Sequence, residues 1–308
     1  MRLVADAVRV SVPATAGNLG PGFDALGMAM GLRDIVEVRA TASADVHIDI
    51  TGEGAMTLAR DESHLVVRAL REALDRVGAS QVGLEIRARN RIPHGKGLGS
   101  SAAAVVAGIT AARALIAEPE ALDADIALQI ATAFEGHPDN AAPAIHGGAT
   151  VAWVDADGAH ASPLILADSI ETAVLIPESV LPTKQARAVL PAQVPHTHAA
   201  FNVGRAALLV NALAAHPELL LPATEDRLHQ SYRADVMAPA VAMLRHLREQ
   251  GLAAVVSGAG PSVLVIGQSL AESDLASGEP EWAQGIGDER WTCVHTVGRV
   301  DGATAKRL

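Results

Sequence analysis

Cysteine is nearly absent: Cys293 is the only one in 308 residues. That excludes a disulfide framework and a cysteine-built metal site, and a reducing, cytoplasmic setting is expected. Aromatic residues make up 2% and charged residues 19%, so the core has to be packed with Ala, Val and Leu. Basic residues are outnumbered, 24 Lys and Arg against 35 Asp and Glu, for a net charge of −11. A nucleic-acid surface needs clustered positive charge, so no nucleic-acid partner is expected. A phosphorylated small ligand is not excluded, because a few local donors suffice. No apolar run reaches the roughly 20 residues of a membrane helix. The opening MRLVADAVRVSVPAT has neither the apolar core nor the cleavage pattern of a signal peptide. No membrane partner is expected, and there is no internal repeat.

What is present is apolar: 49% of the residues are hydrophobic, as in a folded globular protein. The length allows two domains, each with its own core. VRVSVPA (8–14), DIVEVRA (34–40) and VHIDI (46–50) alternate and predict strands, together an antiparallel set. Helical spacing predicts helices over 63–78, 101–116 and 123–134, the last capped by Asp123. VGLEIRA and GGATVAWV predict further strands, and DADGAH (155–160) is the best boundary. Beyond it come a strand at TAVLIPE and helices over 183–188, 198–215 and 239–250. Two strands joined at a Gly-rich turn follow (LAAVVSGAGPSVLVIG), then a last strand at WTCVHTVG. This approximates the β-α-β-β-α-β ferredoxin-like order. The stretch 268–289 is the most disorder-prone.

Four stretches carry chemistry. In RIPHGKGLGSSAAAVVAG, Gly95, Gly97 and Gly99 precede two serines and a helix. A loop without Cβ atoms lets several N–H groups converge, and a helix N-terminus adds its own. An anion cradle and a plain flexible turn both fit. The Gly-Lys-Ser/Thr ending of a P-loop is missing, since Lys96 precedes the last glycines, and the spacing is not that of a dinucleotide fingerprint. ATAGNLGPGFDALGMAM holds Asn18 and Asp24 among glycines, and taken alone it also fits a long surface turn. FEGHPDNAAPAIHGG crowds Glu135, His137, Asp139 and Asn140 past a helix. Its carboxylates suit a hard cation, although alone it reads as a polar helix end. SGAGPS fits a hairpin or a close backbone approach. Thr183 and Arg187 share a helix face. Arg187 and Arg233 each have the fork that binds carboxylate or phosphate, but taken singly each reads as a solvated surface residue.

Taken together, PATAGNLGPGFDALGMA, IPHGKGLGSSAAA, EGHPDNAAP and SGAGPSV resemble the signature segments of the homoserine kinases, in the GHMP kinase superfamily. The glycine-serine loop alone would indicate the superfamily; NLGPGFD and GHPDN narrow it. The resemblance spans nearly the whole chain and implies an α+β fold of two domains. One, 1–157, is like domain 2 of ribosomal protein S5 and binds ATP; the other, 158–308, is ferredoxin-like. It implies transfer of the γ-phosphoryl of ATP, with Mg2+, to the side-chain hydroxyl of L-homoserine on the way to threonine. A homodimer is left open.

Carried over by position, the ATP-binding segment is Pro93, Gly95, Lys96, Gly97, Leu98, Gly99, Ser100, Ser101, Ala102 and Ala103, with no individual role for Lys96 or His94. Ser101 and Glu135 are the magnesium-side hydroxyl and carboxylate. Asn18 and Asp24 are substrate-side, Asp24 for the ammonium. Arg187 and Arg233 clamp the carboxylate, with Thr183, His137 and Asn140 nearby. Asn140 is expected to orient the hydroxyl, with no side chain, Asp139 included, acting as base. Two positions depart from the pattern: His64 replaces an Asn before LVVRA, and TAGN lacks the hydroxyl before Asn18. The competing readings are a related kinase acting on mevalonate or a shikimate-like acid, and a non-catalytic nucleotide-binding regulator. Asp24 opposes the first, since those acids have no ammonium. Ser101 and Glu135 oppose the second.

Overall fold

The computed structural model describes residues 1–308. Alternating valines build β1 (Ala7–Gly17), which buries Val8, Val10 and Val12 completely. It pairs antiparallel with β2 (Leu26–Thr41). β3 (Val46–Gly52) is joined through α1 (Leu65–Arg76) to β4 (Gly83–Asn90). β4 pairs antiparallel with β2, but β3 lies parallel to β4 at the sheet edge. The expected all-antiparallel set is corrected here: a crossover helix returns the chain in the same direction.

α2 (Ser100–Leu115) follows the glycine loop and is apolar on most of its circumference, because it lies between the sheet and other helices. A Cβ on Gly108 would come within 2.4 Å of the Val66 carbonyl oxygen, so glycine there lets α2 press against α1. α3 (Ala124–Glu135) starts at Asp123, whose carboxylate accepts the Ile126 N–H at 2.9 Å, and stops at Gly136 with φ of 83°. α4 (Ala141–His146) leads to the hairpin of β5 (Ala149–Asp155) and β6 (Gly158–Pro163), which joins the sheet through β2.

The second sheet contains β7 (Glu171–Pro177), β8 (Ala253–Val256), β9 (Val263–Gly267) and β10 (Trp291–Val297). Their order is β10-β7-β9-β8, with every neighbour antiparallel, as in a ferredoxin-like sheet. Between β7 and β8 run α5 (Thr183–Ala188), α6 (His196–Ala214), α7 (Leu220–Ala223) and α8 (Ala238–Glu249). Short helical turns replace the second crossover helix. The 268–289 stretch, expected to be disorder-prone, is held in place: Leu270, Leu275 and Ala283 are buried against the second sheet.

The expected division at 157/158 falls in the turn between β5 and β6, so the chain leaves the first sheet only after Pro163. It also returns: β11 (Thr304–Arg307) pairs with β1. The core is likewise not split by sheet. One cluster of 58 buried residues joins Val8 and Leu70 to Val174, Val255 and Leu264 of the second sheet. A smaller cluster of 17 lies on that sheet's other face, under α8. The expectation of one separate core per domain is corrected: apolar side chains on both faces of β7 and β9 need cover on both sides, and on one side they join the larger cluster together with Leu209 and Leu213 of α6 and Leu220 of α7.

Candidate active site

Gly95, Gly97 and Gly99 all have positive φ, between 66° and 71°. Glycine adopts this region at no steric cost. Space is closed there too. A Cβ on Gly97 would lie 2.1 Å from the Ser257 carbonyl oxygen, and one on Gly99 would lie 2.0 Å from Thr15 Oγ1. The loop is bare because the SGAGPS turn and the end of β1 press on it. Ser257 Oγ donates to the Gly97 carbonyl at 2.7 Å, and the Leu181 N–H donates to that of Gly95 at 2.8 Å. Leu98, Ala102 and Ala103 are buried. Lys96 spends its ammonium on the Pro177 carbonyl at 2.7 Å. Pro93 is half-buried at the entry to the loop.

Two cavities meet at Ser100 and Ser101, the start of α2. One, of about 220 Å3, is mostly apolar, with Val12, Val36, Val66, Ala107, His64 and Asn90 on its wall. His64 caps α1, its Nδ1 accepting the Val66 N–H at 3.3 Å, and burial lowers its pKa. The other, of about 300 Å3, is polar. It is lined by the glycine loop and brings together Asn18, Glu135, His137, Thr183, Arg187 and Arg233, with Asp139 and Asn140 behind them. Thr183 and Arg187 reach it from the same face of α5.

Ser101 Oγ donates to Glu135 Oε1 at 2.5 Å. Burial pushes the Glu135 carboxyl up, which the Ser101 bond only partly offsets. Asp139 is 1% exposed and bonds His137 Nδ1 at 2.5 Å. Burial opposes the charged His137 ring, but Asp139 prevails and raises its pKa. Asn140 is held at both ends: its amide donates to Asp139 at 3.1 Å and accepts from Thr15 Oγ1 at 3.0 Å. Ligand atoms of Asp24, His137 and Asp139 lie within 4.8 Å of one another. Asp24 is nevertheless paired with Arg187, and Asp139 with His137, so the trio reads as two ion pairs.

Arg187 forks onto Asp24 at 2.6 and 3.1 Å, so the two expected ends of the substrate receptor hold each other. Arg233 is no surface residue: it is 1% exposed, and burial followed by the Arg187 cation lowers its pKa to about 10. Asn18, expected on the substrate, is buried and commits its amide within the protein. It donates to the Gly258 carbonyl at 2.8 Å and accepts the Asp24 N–H at 2.9 Å. It shapes the 18–24 turn, in which Asn18, Leu19, Gly20 and Asp24 all have positive φ.

This site can be set beside known proteins. Residues 64–148 match the family model of the GHMP kinases N terminal domain. The homoserine kinase of Streptomyces coelicolor is 55% identical over 88% of this chain and 87% of its own. That of Clavibacter michiganensis is 46% identical, covering 97% and 94%. The chain belongs to the homoserine kinase family. A crystal structure of homoserine kinase from Cytophaga hutchinsonii superposes with a TM-score of 0.83 over 98% of both chains; at 24% identity it speaks for the fold.

Within this homoserine kinase fold, motif reading missed Thr15 and Phe23, while the close approach expected of SGAGPS is made by Ser257 to Gly97. Thr15 closes the Asn140 bonds. Phe23 has the guanidinium carbons of Arg187 and Arg233 at 5.6 and 5.8 Å from its ring centroid. A signal existed for Phe23 alone, one of three phenylalanines in the chain and set inside a polar glycine turn.

Proposed function

We propose that the two joined cavities are the halves of one phosphoryl-transfer site. The chain is an enzyme that phosphorylates the side-chain hydroxyl of L-homoserine with ATP, giving O-phospho-L-homoserine on the route to threonine. One observation carries the substrate reading: Arg187 and Arg233 line one polar cavity that opens onto the start of α2, and Asp24 adjoins it through its fork to Arg187. A free amino acid needs an anion for its ammonium and cations for its carboxylate, and this cluster offers both. Mevalonate and shikimate bring no ammonium for Asp24.

The apolar cavity suits a nucleoside. The triphosphate then crosses the segment from Gly95 to Ser101, where backbone N–H groups and the α2 N-terminus favour negative charge. Ser101 and Glu135 would hold magnesium. Both offer oxygen, the donor a hard cation takes, and Glu135 is a carboxylate whose charge burial disfavours without a nearby cation. When bound, such an ion neutralises charge on the phosphates. Asp24 takes the ammonium, Arg187 and Arg233 take the carboxylate, and Thr183 and His137 close the cavity wall. Asn140, held by Asp139 and Thr15, presents its amide to the attacking hydroxyl. No side chain removes the proton beforehand, because a loose transition state asks little of the nucleophile.

A cytoplasmic setting belongs to the same reading. The one cysteine, Cys293, is free and buried, and no helix is long and apolar enough to cross a membrane.

ADP release with magnesium and ATP, measured on homoserine, mevalonate, shikimate and threonine, tests the assignment. Homoserine should be turned over far faster than the others. No homoserine-dependent release, with good release on another alcohol, removes it.

A further inference from the structure

His229 has no part in the site as assembled so far, yet its side chain is wholly buried between two pieces of it. Nε2 lies 2.7 Å from the Gly20 carbonyl oxygen. A carbonyl only accepts, so Nε2 carries the proton and donates. Nδ1 of the neutral ring is then an acceptor, and Arg233 Nη1 donates to it at 2.9 Å. One tautomer satisfies both bonds. Burial keeps the ring's pKa low, with the Arg233 cation acting the same way and the Asp226 carboxylate opposing. The ring stacks on Phe23 with centroids 5.1 Å apart. Its backbone is pinned as well: Asp226 accepts the N–H groups of Leu228, His229 and Gln230 at 2.9, 3.0 and 2.8 Å.

Arg233 needs such a guide. No carboxylate bonds it; Nε donates to the Ala186 carbonyl at 3.1 Å, and Nη1 to His229 and, at 3.3 Å, to the Gly258 carbonyl. Nη2 has no protein acceptor, and the side chain lines the polar cavity. The direction of that donor is therefore set by what grips the other edge of the guanidinium.

We propose that His229 is a positioning residue that locks the Arg233 guanidinium and the Gly20–Asp24 turn into one frame, so that the substrate carboxylate and ammonium are read at a fixed separation. This rests on the assignment of Arg233 to the carboxylate of homoserine. Of the two bonds, the one to Arg233 matters more. The turn has a second brace, since Asn202 donates to the Pro21 carbonyl at 2.8 Å, whereas His229 Nδ1 is the only side-chain acceptor bonded to Arg233.

Steady-state kinetics on three variants separate the possibilities. Arg233→Ala tests the underlying assignment and should raise KM for homoserine. His229→Leu keeps bulk but has no acceptor; it should raise that KM about tenfold, the scale of one charged hydrogen bond, with KM for ATP and kcat within about twofold. His229→Asn restores an acceptor near the Nδ1 position and should recover most of the loss. An unchanged KM in Arg233→Ala removes the carboxylate assignment itself. A raised KM in Arg233→Ala, with His229→Leu at wild-type KM or with His229→Asn no better than His229→Leu, overturns the role of His229 and spares that assignment. Should His229→Leu not fold, the imidazole 15N shifts of the wild type read the same point. Nδ1 should be unprotonated at pH 7 and its signal should move on adding homoserine; a protonated Nδ1, or no movement at saturating homoserine, overturns the proposal.

Discussion

Ser101 and Glu135 come from opposite ends of two helices, and each has the other as its hydrogen-bond partner. If they hold the metal, Ser101→Ala and Glu135→Gln should each lower kcat by roughly 10²–10³, the scale for one preorganised group at a developing charge. Each should also shift the magnesium titration to higher concentration. Wild-type kcat and titration in both would take them out of the site. Asp139 raises a second question, because a buried carboxylate beside a reacting hydroxyl invites the role of base. A general base typically contributes about 10²–10⁴ in rate. With Asn140 as the orienting group, Asp139→Asn should cost less than that, and Asn140→Ala should cost more than Asp139→Asn. A thousandfold loss in a folded Asp139→Asn, with Asn140→Ala nearly silent, makes Asp139 the base. The same variant has a signature in stability. Asp139 holds the His137 pKa above its ordinary value. A raised histidine contributes stability below its unfolded pKa of about 6.5 and loses it as pH rises through the folded value. Wild-type stability should therefore fall with pH across that window, and Asp139→Asn should flatten the fall.

The glycine loop acts as an element, since its shape depends on what lies behind it. Gly97 faces Ser257 and Gly260, and Gly99 faces Thr15, so the phosphate loop, the SGAGPS turn and the end of β1 are packed as one unit. Gly97→Ala meets two obstacles, a positive φ and a backbone oxygen 2.1 Å from the new Cβ. Backbone oxygen cannot swing aside as a flexible side chain does, so the loop or the turn must shift. Lost activity should then exceed lost stability. A strained residue costs on the order of 1–3 kcal/mol, while a displaced cradle misplaces every N–H at once. Measured kcat should drop at least tenfold, with the melting temperature only a few degrees lower. An active variant would show that the phosphate loop, the SGAGPS turn and β1 are not locked together; an unfolded one would show that the strain is not confined to the loop. Gly136 provides a control in the same region: it too has positive φ, but no atom lies within 4 Å of a Cβ there.

Over the whole molecule, the two sheets are tied by a shared core and by the C-terminus. β11 follows the last strand of the second sheet and lies beside β1, the strand that runs into the 18–24 turn. Arg307 adds bonds to the Ala114 and Ile116 carbonyls at the end of α2, at 2.9 and 3.2 Å. The strand itself is exposed, so its contribution is hydrogen bonding more than apolar burial. Each net hydrogen bond contributes about 1 kcal/mol. Removing residues 304–308 should lower the urea midpoint clearly, with KM for both substrates close to wild type in the protein that remains folded. An unchanged midpoint would mean that the return strand is ornamental to stability.

The sequence by itself determined the local elements and the inventory of the site. Alternation marked β1, helical spacing marked α1, and Asp123 marked the start of α3, because each depends on neighbours along the chain. The glycine-serine loop, Asp24, Glu135 and Asn140 stood out in the motifs, and the family those motifs resemble supplied the roles expected of them. Tertiary structure decided how these groups are spent. Asn18 and Lys96 look free in the sequence, but their donors are used on carbonyls 240 and 81 residues away. Arg187 and Asp24 are 163 residues apart and form one pair. Arg233 reads as a surface residue until the packing of α5, Phe23 and the SGAGPS turn buries it. Sequence pattern reports which face of an element is apolar. It does not report which distant carbonyl or carboxylate a polar side chain will meet, because that is fixed only when the sheets share a core.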